Sequence, residues 1–180
     1  MPRLQTPGGA HPLTAPPERP AALAPGRLYA RLLATAAAVV AVDQVTKSLA
    51  LDNLEQPRDL IEGILTLRLT YNSGGAFGIL QGMPGLFLVT TLIAAVVILF
   101  WVRHLDEPRW TIPLGLVLGG GLGNVTDRIF RDTGGRVVDF IDLHFWPVFN
   151  IADACIVSGV ALVLLLGTRQ TESEAAEGGA

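Results

Sequence analysis

Charge is the scarcest commodity in this chain. Of 180 residues, 16% are Asp, Glu, Lys or Arg and 50% are hydrophobic, whereas an average soluble domain carries about 25% charged residues. With a mean hydropathy of +0.46, the chain has too few charges to cover a water-soluble globule. The same figures exclude disorder for most of the length, because low hydrophobicity with high net charge is its signature. Positive charge is not in excess either: 13 Lys and Arg face 16 Asp and Glu, a net charge of -3. The basic footprint of a nucleic-acid binder is therefore missing. One cysteine, Cys155, excludes an intrachain disulfide and any multi-cysteine zinc or iron–sulfur site. His11, His104 and His144 show no HxH or HxxxH spacing, and no P-loop or GxGxxG pattern occurs. His144 with Asp139 and Asp142 is the one grouping that approaches a metal site, without supporting spacing, so neither metal nor cofactor is expected.

What the chain does have is long apolar runs. A hydrocarbon core about 30 Å thick needs about 20 helical residues to cross it. Met83 to Val102 supplies 20 uncharged residues, and Trp110 to Thr126 supplies 17, with Gly119, Gly120, Gly121 and Gly123 clustered near its end. Such small residues let helices approach closely in lipid. Phe145 to Gly167 is uncharged apart from Asp153, and Leu28 to Leu51 is interrupted by Arg31, Asp43 and Lys47. That first run also admits a reading as a cleaved signal peptide, with Ser48-Leu49-Ala50 as cleavage site. Asp43 and Lys47 between the apolar run and that site, and the late start, favour an uncleaved helix. The expected fold is an α-helical integral membrane protein with four transmembrane helices near 28–51, 83–103, 111–130 and 149–168.

Residues 1–26 hold seven of the twelve prolines and read as a disordered tail preceding a 27–169 membrane domain. Residues 170–180, polar or small with three Glu, read as a second loose tail. Arg27, Arg31 and the compact 103–110 loop with Arg103 and Arg109 favour cytoplasmic termini, against Arg58, Arg68, Arg131 and Arg136 in longer mixed-charge loops on the other side. The outer loop, 52–80, contains Ile64 to Tyr71, where Leu65, Leu67 and Leu69 alternate with Thr66, Arg68 and Thr70. That period of two predicts a strand, and with the glycine-rich segment after it a small sheet or cradle at the membrane surface, between the first two helices.

Ionisable residues in membrane spans cost about 2.5–3.5 kcal/mol each on insertion scales and mark functional sites by default. Asp43 and Lys47 stand at i and i+4 in the first span; Asn124, Asp127 and Arg128 end the third; Asn150 and Asp153 open the fourth. Each set also admits a structural reading, as a local ion pair or a capped helix end. Asp153 is hardest to explain that way, because Asn150 is already placed to cap. Asp139 lies in Val137-Val138-Asp139-Phe140-Ile141-Asp142, apolar enough to lie against the membrane. On the four-span plan Asp127, Asp139, Asp142 and Asp153 share one face. Two carboxylates in one site cannot both ionise cheaply, so one keeps a proton. The pair is then the acid and base needed to activate water and protonate a leaving amine. From these residues alone a protease and a proton-coupled carrier remain open, although no inverted repeat favours a carrier. Ser48, Ser73, Ser158 and Ser173 have no motif pairing them with histidine, and Cys155 reads as a packing residue.

Five blocks occur in order: Asp43-Gln44-x-x-Lys47, Asn72-x-Gly74-x-Ala76-Phe77-Gly78, Gly123-Asn124-x-x-Asp127-Arg128, Val137-Val138-Asp139-Phe140 and Phe149-Asn150-x-Ala152-Asp153. Together they resemble the lipoprotein signal peptidases, or signal peptidase II, of bacteria. The resemblance implies a monomeric aspartyl protease of the cytoplasmic membrane, without cofactor, embedded in membrane lipid. Its substrates would be prolipoproteins carrying a diacylglyceryl cysteine, cut on the N-terminal side of that residue. It implies Asp139 and Asp153 as catalytic residues. Asp43, Lys47, Asn72, Gly74, Asn124, Asp127, Arg128 and Asn150 would bind substrate or order the site, with Asp127 the partner of Arg128. The 128–138 segment is longer than in many members, which touches contacts at the substrate's edge and not the chemistry. The proline-rich tail lies outside the shared pattern.

Overall fold

A computed structural model describes residues 24–74, 84–105 and 107–178. Most of the proline-rich tail and Ala76-Phe77-Gly78 lie outside the described residues. Helix α1, Pro25–Asn53, begins with proline at its first turn, where the missing N–H would have had no helical partner and the fixed φ is already helical. Its buried positions are Leu28, Leu32, Ala36, Val39, Asp43, Lys47 and Ala50, a strict three-and-four spacing that defines one helix face. The charged pair therefore sits on the inward stripe, while Leu33, Val42, Val45 and Leu49 face outward. The usual distribution of polarity is inverted at this end of the helix.

Helix α2, Pro84–Trp101, α3, Thr111–Phe130, and α4, Ile151–Gly178, complete the helical layer. Helices α1, α2 and α4 are long and apolar enough to cross a membrane. Helix α3 has 20 residues, but its glycines and its Asn124, Asp127 and Arg128 dilute its apolar character and it does not join them. The 170–180 segment departs from the loose tail expected of it: α4 continues as helix to Gly178, and the Glu and Ala that dominate it are strong helix formers.

Helix α3 is the centre of the bundle, packed broadly against α1 and α4 and less so against α2. Its glycines make this possible. A Cβ on Gly119 would stand 2.7 Å from the Ala36 carbonyl oxygen of α1, and one on Gly123 would stand 2.6 Å from Asp43 Oδ2. A Cβ on Gly120 would strike the Ala152 carbonyl of α4, and one on Gly121 would meet Thr91 of α2 at 2.8 Å. Three neighbours thus approach one short run of backbone. Near the other end of the bundle, Leu28, Leu32, Ile98, Val102, Leu114 and Leu118 form an apolar core between α1, α2 and α3.

The expected strand is β2, Leu65–Asn72, paired antiparallel with β1, Arg58–Ile61. Leu67 and Leu69 pack against Ala50, Leu54 and Phe140. The sheet is not confined to the connection between the first two helices, however. Its third strand is β3, Val137–Asp142, which lies between α3 and α4 in sequence and pairs with β2 in the order β1-β2-β3. Five of the six β3 residues are buried. Buried on both faces, and carrying two aspartates, the strand shows neither a clean alternation nor a continuous apolar run, which hid it in the sequence. Beyond β3 the chain turns back, and Phe149 exchanges backbone hydrogen bonds with Ile141 at 2.9 and 3.0 Å. That closure sets the start of α4 beside β3.

The α3–α4 contact predicts the effect of one methyl group. Gly120→Ala should overpack the interface and destabilise the fold by about 1–3 kcal/mol, read as a lower melting temperature in detergent. An unchanged melting temperature would mean that the two helices do not approach this closely.

Candidate active site

The polar interior begins with Lys47. Its ammonium donates to Asp43 Oδ2 at 2.9 Å and Asp127 Oδ2 at 3.0 Å, and to Asn124 Oδ1 at 3.0 Å. The side chains of Lys47, Asp43 and Asp127 are all 0% exposed. Three protons meet three acceptors, the full capacity of an ammonium. The acceptors carry the connection outward. Asp43 Oδ1 receives the backbone N–H of Ala152 in α4 at 3.0 Å, and Asp127 Oδ2 receives that of Val138 in β3 at 3.0 Å.

Asp127 is therefore not the partner of Arg128. Adjacent helical residues point in different directions, and the arginine that reaches Asp127 is Arg131, one turn on, at 3.2 Å. Gln44 completes the arrangement: its Nε2 donates to Asp127 Oδ1 at 2.9 Å and to the Gly123 carbonyl at 3.1 Å, and its Oε1 accepts from Arg131 at 2.9 Å. Sequence reasoning assigned no role to Gln44 or Arg131. The i, i+4 spacing of Asp127 and Arg131, and the place of Gln44 in the Asp43 block, were the available signals.

Asn124, Asn150 and Asn72 join this network to two further carboxyls. Asn150 caps α4 by accepting from the Asp153 N–H at 2.9 Å, while its own N–H points at Asp153 Oδ2 at 3.4 Å, the reciprocal pattern of a capping box. Its Nδ2 donates to Asp139 Oδ1 at 2.7 Å and to Asn124 Oδ1 at 3.0 Å. Asn124 Nδ2 in turn donates to Asp153 Oδ1 at 2.8 Å, and Asn72 Nδ2 to Asp139 Oδ2 at 3.0 Å. Gly74 serves through its backbone, its N–H donating to Asn72 Oδ1 at 2.9 Å and holding that side chain in a tight turn. Every residue named from the sequence as a site candidate thus falls into one connected set.

Asp153 and Asn124 face a cavity of about 240 Å³, also lined by Asn72, Arg128, Phe87 and Trp146. Arg128 reaches the carbonyls of Asn124 at 3.3 Å and Gly74 at 3.4 Å, and its guanidinium lies 5.5 Å from the centre of the Phe87 ring. Its Nε is buried without a hydrogen-bond partner among the described residues. Asp139 is 1% exposed, behind Asn72. Burial above all, and then the charge of Asp153, raise its pKa to about 7 against the opposing hydrogen bonds from Asn72 and Asn150. Asp142 is held below the ordinary carboxylate range by its bond to Arg68 and by the His144 N–H. The four acids expected on one face are therefore not equivalent. Asp127 is consumed by Lys47 and Arg131, and Asp142 by Arg68 and His144. Asp139 and Asp153 remain, one poised between protonation states and the other open to a cavity, which is the equipment for general acid–base attack by water. Among the described residues no group of three or more His, Cys, Asp and Glu is arranged to hold a metal ion.

Two measurements test this geometry. Lys47→Met leaves the buried Asp43 carboxylate without a counter-charge and Asp127 with Arg131 alone, and should cost about 3–5 kcal/mol; a normal yield and melting temperature would contradict the network. Asp139 should be neutral below a pH of about 7 and ionised above it. In Asp153→Asn the neighbouring negative charge is gone, so the midpoint should fall, while burial keeps it above the ordinary value. Difference infrared spectra of the carboxyl stretch, with Asp139→Asn as the blank, report both midpoints, and an unmoved midpoint would uncouple the two acids.

Comparison with known proteins gives the family. Residues 35–168 match the family model described as signal peptidase (SPase) II. A lipoprotein signal peptidase of Mycobacterium tuberculosis (strain ATCC 25618 / H37Rv) is 42% identical over 172 residues, covering 88% of this chain and 84% of the relative. One from Rhodococcus jostii (strain RHA1) is 46% identical over 143 residues, covering 75% and 71%. A bacterial membrane enzyme solved by the in meso method at 2.3 Å resolution superposes with a TM-score of 0.73 at 29% identity, covering 80% of this chain and 91% of that one. With a family model matched over most of its length and relatives 42% and 46% identical, the chain belongs to the signal peptidase II family.

Proposed function

We propose that Asp139 and Asp153 are the catalytic pair of an intramembrane aspartyl endopeptidase. It removes the signal peptide from diacylglyceryl-modified prolipoproteins, cutting on the N-terminal side of the lipidated cysteine. The observation that carries this reading is the isolation of these two carboxyls from the other acids: both are held by asparagine amides, and Asp139 is poised at about 7.

The precursor enters sideways from the bilayer and presents its scissile bond at the cavity. The ionised carboxylate takes a proton from water, whose oxygen attacks the carbonyl carbon. The protonated carboxyl meanwhile donates to the carbonyl oxygen, giving a tetrahedral diol. As the C–N bond breaks, the carboxyl that took the water's proton passes it to the leaving nitrogen, and the other carboxylate recovers its proton from a diol hydroxyl as the carboxylic acid product forms. Asn124 and Asn150 link the two acids, so the pair titrates as a unit, and no step needs a cofactor. Asn72 orients Asp139 and Arg128 lines the cavity where the peptide lies, while Asp43, Lys47 and Asp127 hold the elements in place. In the membrane all four helices cross, α3 shielded by its neighbours, with the sheet at the outer face and both termini in the cytoplasm. The basic residues Arg27, Arg31, Arg103 and Arg109 support this orientation. The protein acts as a monomer in the cytoplasmic membrane.

Asp139→Asn and Asp153→Asn should each lower cleavage of a diacylglyceryl-modified precursor by about 10³-fold or more, within the range general acid–base groups contribute, while the protein stays folded and inserted. Asp142→Asn should be far milder, because Asp142 is engaged with Arg68. Normal processing by either of the first two variants, or equal loss in the third, would reassign the pair.

A further inference from the structure

The cavity beneath Asp153 does not end at the catalytic pair. A second hollow of about 190 Å³ runs between α2, α3 and α4, and Thr91, Gly121 and Ile156 line both. It descends α2 from Thr91 past Ala94 to Ile98, with Val117 of α3 as part of its floor. At 1.5 Å per residue those seven steps span about 10 Å. A hollow of that volume over that length is far too narrow for a helix about 10–12 Å across. The small side chain of Ala94 leaves the channel open, and Gly121 marks the junction: a Cβ there would stand 2.8 Å from Thr91 Cγ2.

The geometry points to this groove as the seat of one acyl chain of the substrate's diacylglyceryl group. The inference rests on the peptidase reading. With the scissile bond at Asp153, the lipidated cysteine lies in the upper cavity, and its acyl chains must pass from there into the apolar layer. The groove shares Thr91, Gly121 and Ile156 with that cavity, is walled mainly by apolar groups and is too narrow for a helix. A helical signal segment does not fit it, and a bulk lipid chain would have no reason to be joined to the catalytic cavity.

The test uses the full-length protein in phospholipid vesicles and two precursors of identical sequence, one with palmitoyl and one with butyryl chains on its diacylglyceryl cysteine. The wild type should favour the long-chain precursor in kcat/KM by about tenfold, from dispersion contacts of the chain with the groove walls, because a chain leaving the bilayer gains nothing by transfer out of water. Ala94→Phe fills the groove and should bring that ratio to within about twofold of unity. Val96→Phe, on the outward face at 67% exposure, should leave the ratio as in the wild type. A ratio unchanged in Ala94→Phe, or equal loss on both precursors, would overturn the assignment and leave the groove to bulk lipid or to packing. A long-chain precursor with a diazirine at its acyl end gives a readout that needs no groove variant. Bound to Asp153→Asn, it should label the α2 peptide around Ala94, and labelling confined to other segments overturns the proposal. Failure of the wild type to cleave either precursor would instead strike the peptidase reading itself.

Discussion

An ammonium group with no access to water must find an acceptor for each of its three protons, and Lys47 finds them on two helices. Asp43 lies on its own helix, Asp127 and Asn124 on α3. Each acceptor has a second obligation elsewhere: Asp43 to the first turn of α4, Asp127 to the backbone of β3, and Asn124 to Asp153. The desolvation cost of burying three charges is offset only if every lone pair and proton is engaged. The network therefore cannot loosen at one end without exposing an unpaired charge at another. Neither catalytic candidate touches Lys47, yet the elements that carry them are tied through it.

That demand sets the helix packing. Lys47 can serve α1 and α3 at once only if the two backbones nearly touch, and Gly119 and Gly123 permit this by presenting no side chain to Ala36 and Asp43. Gly120 does the same for α4 on another side of α3. Small residues at such interfaces replace the hydrophobic driving force that lipid removes. The same glycines make α3 less apolar than its neighbours. Weak hydropathy in that helix and a dense polar site at its end are two results of one choice of residues.

How much of this was legible in the sequence depended on whether a pattern was local. Asp43 with Lys47, Asn150 with Asp153, and the alternation that became β2 are local patterns, and the structure contains all three. The third strand had no alternation to read, because β3 is buried on both faces. The partner of Asp127 was misjudged from adjacency: helical geometry places Arg131, and not Arg128, on its side. Gln44 was visible as a letter in a block, but its reach to Asp127 and Arg131 spans more than eighty positions in the chain. The 128–138 segment is also organised locally. It closes through Gly134 and Gly135, both with positive φ, and sets the Arg136 guanidinium 5.1 Å from the Tyr71 ring centre on β2. This segment thus fastens to the sheet next to the Asn72 turn.

The two carboxyls of the site come from different kinds of structure, and this explains their unequal surroundings. Asp153 belongs to a helix that meets the apolar layer, and as part of a capping box its position is set by the helix terminus. Asp139 belongs to a strand, and its depth is set by the register that places it opposite Thr70 of β2. The exchange between Ile141 and Phe149 brings the strand and the helix together within a single turn of chain. Because Asn150 sits between that exchange and Asp153, one amide can hold the helix terminus and Asp139 at once. The sheet is accordingly part of the site as much as the bundle is: without β2 to fix β3, Asp153 would remain a capped helix end facing an empty cavity.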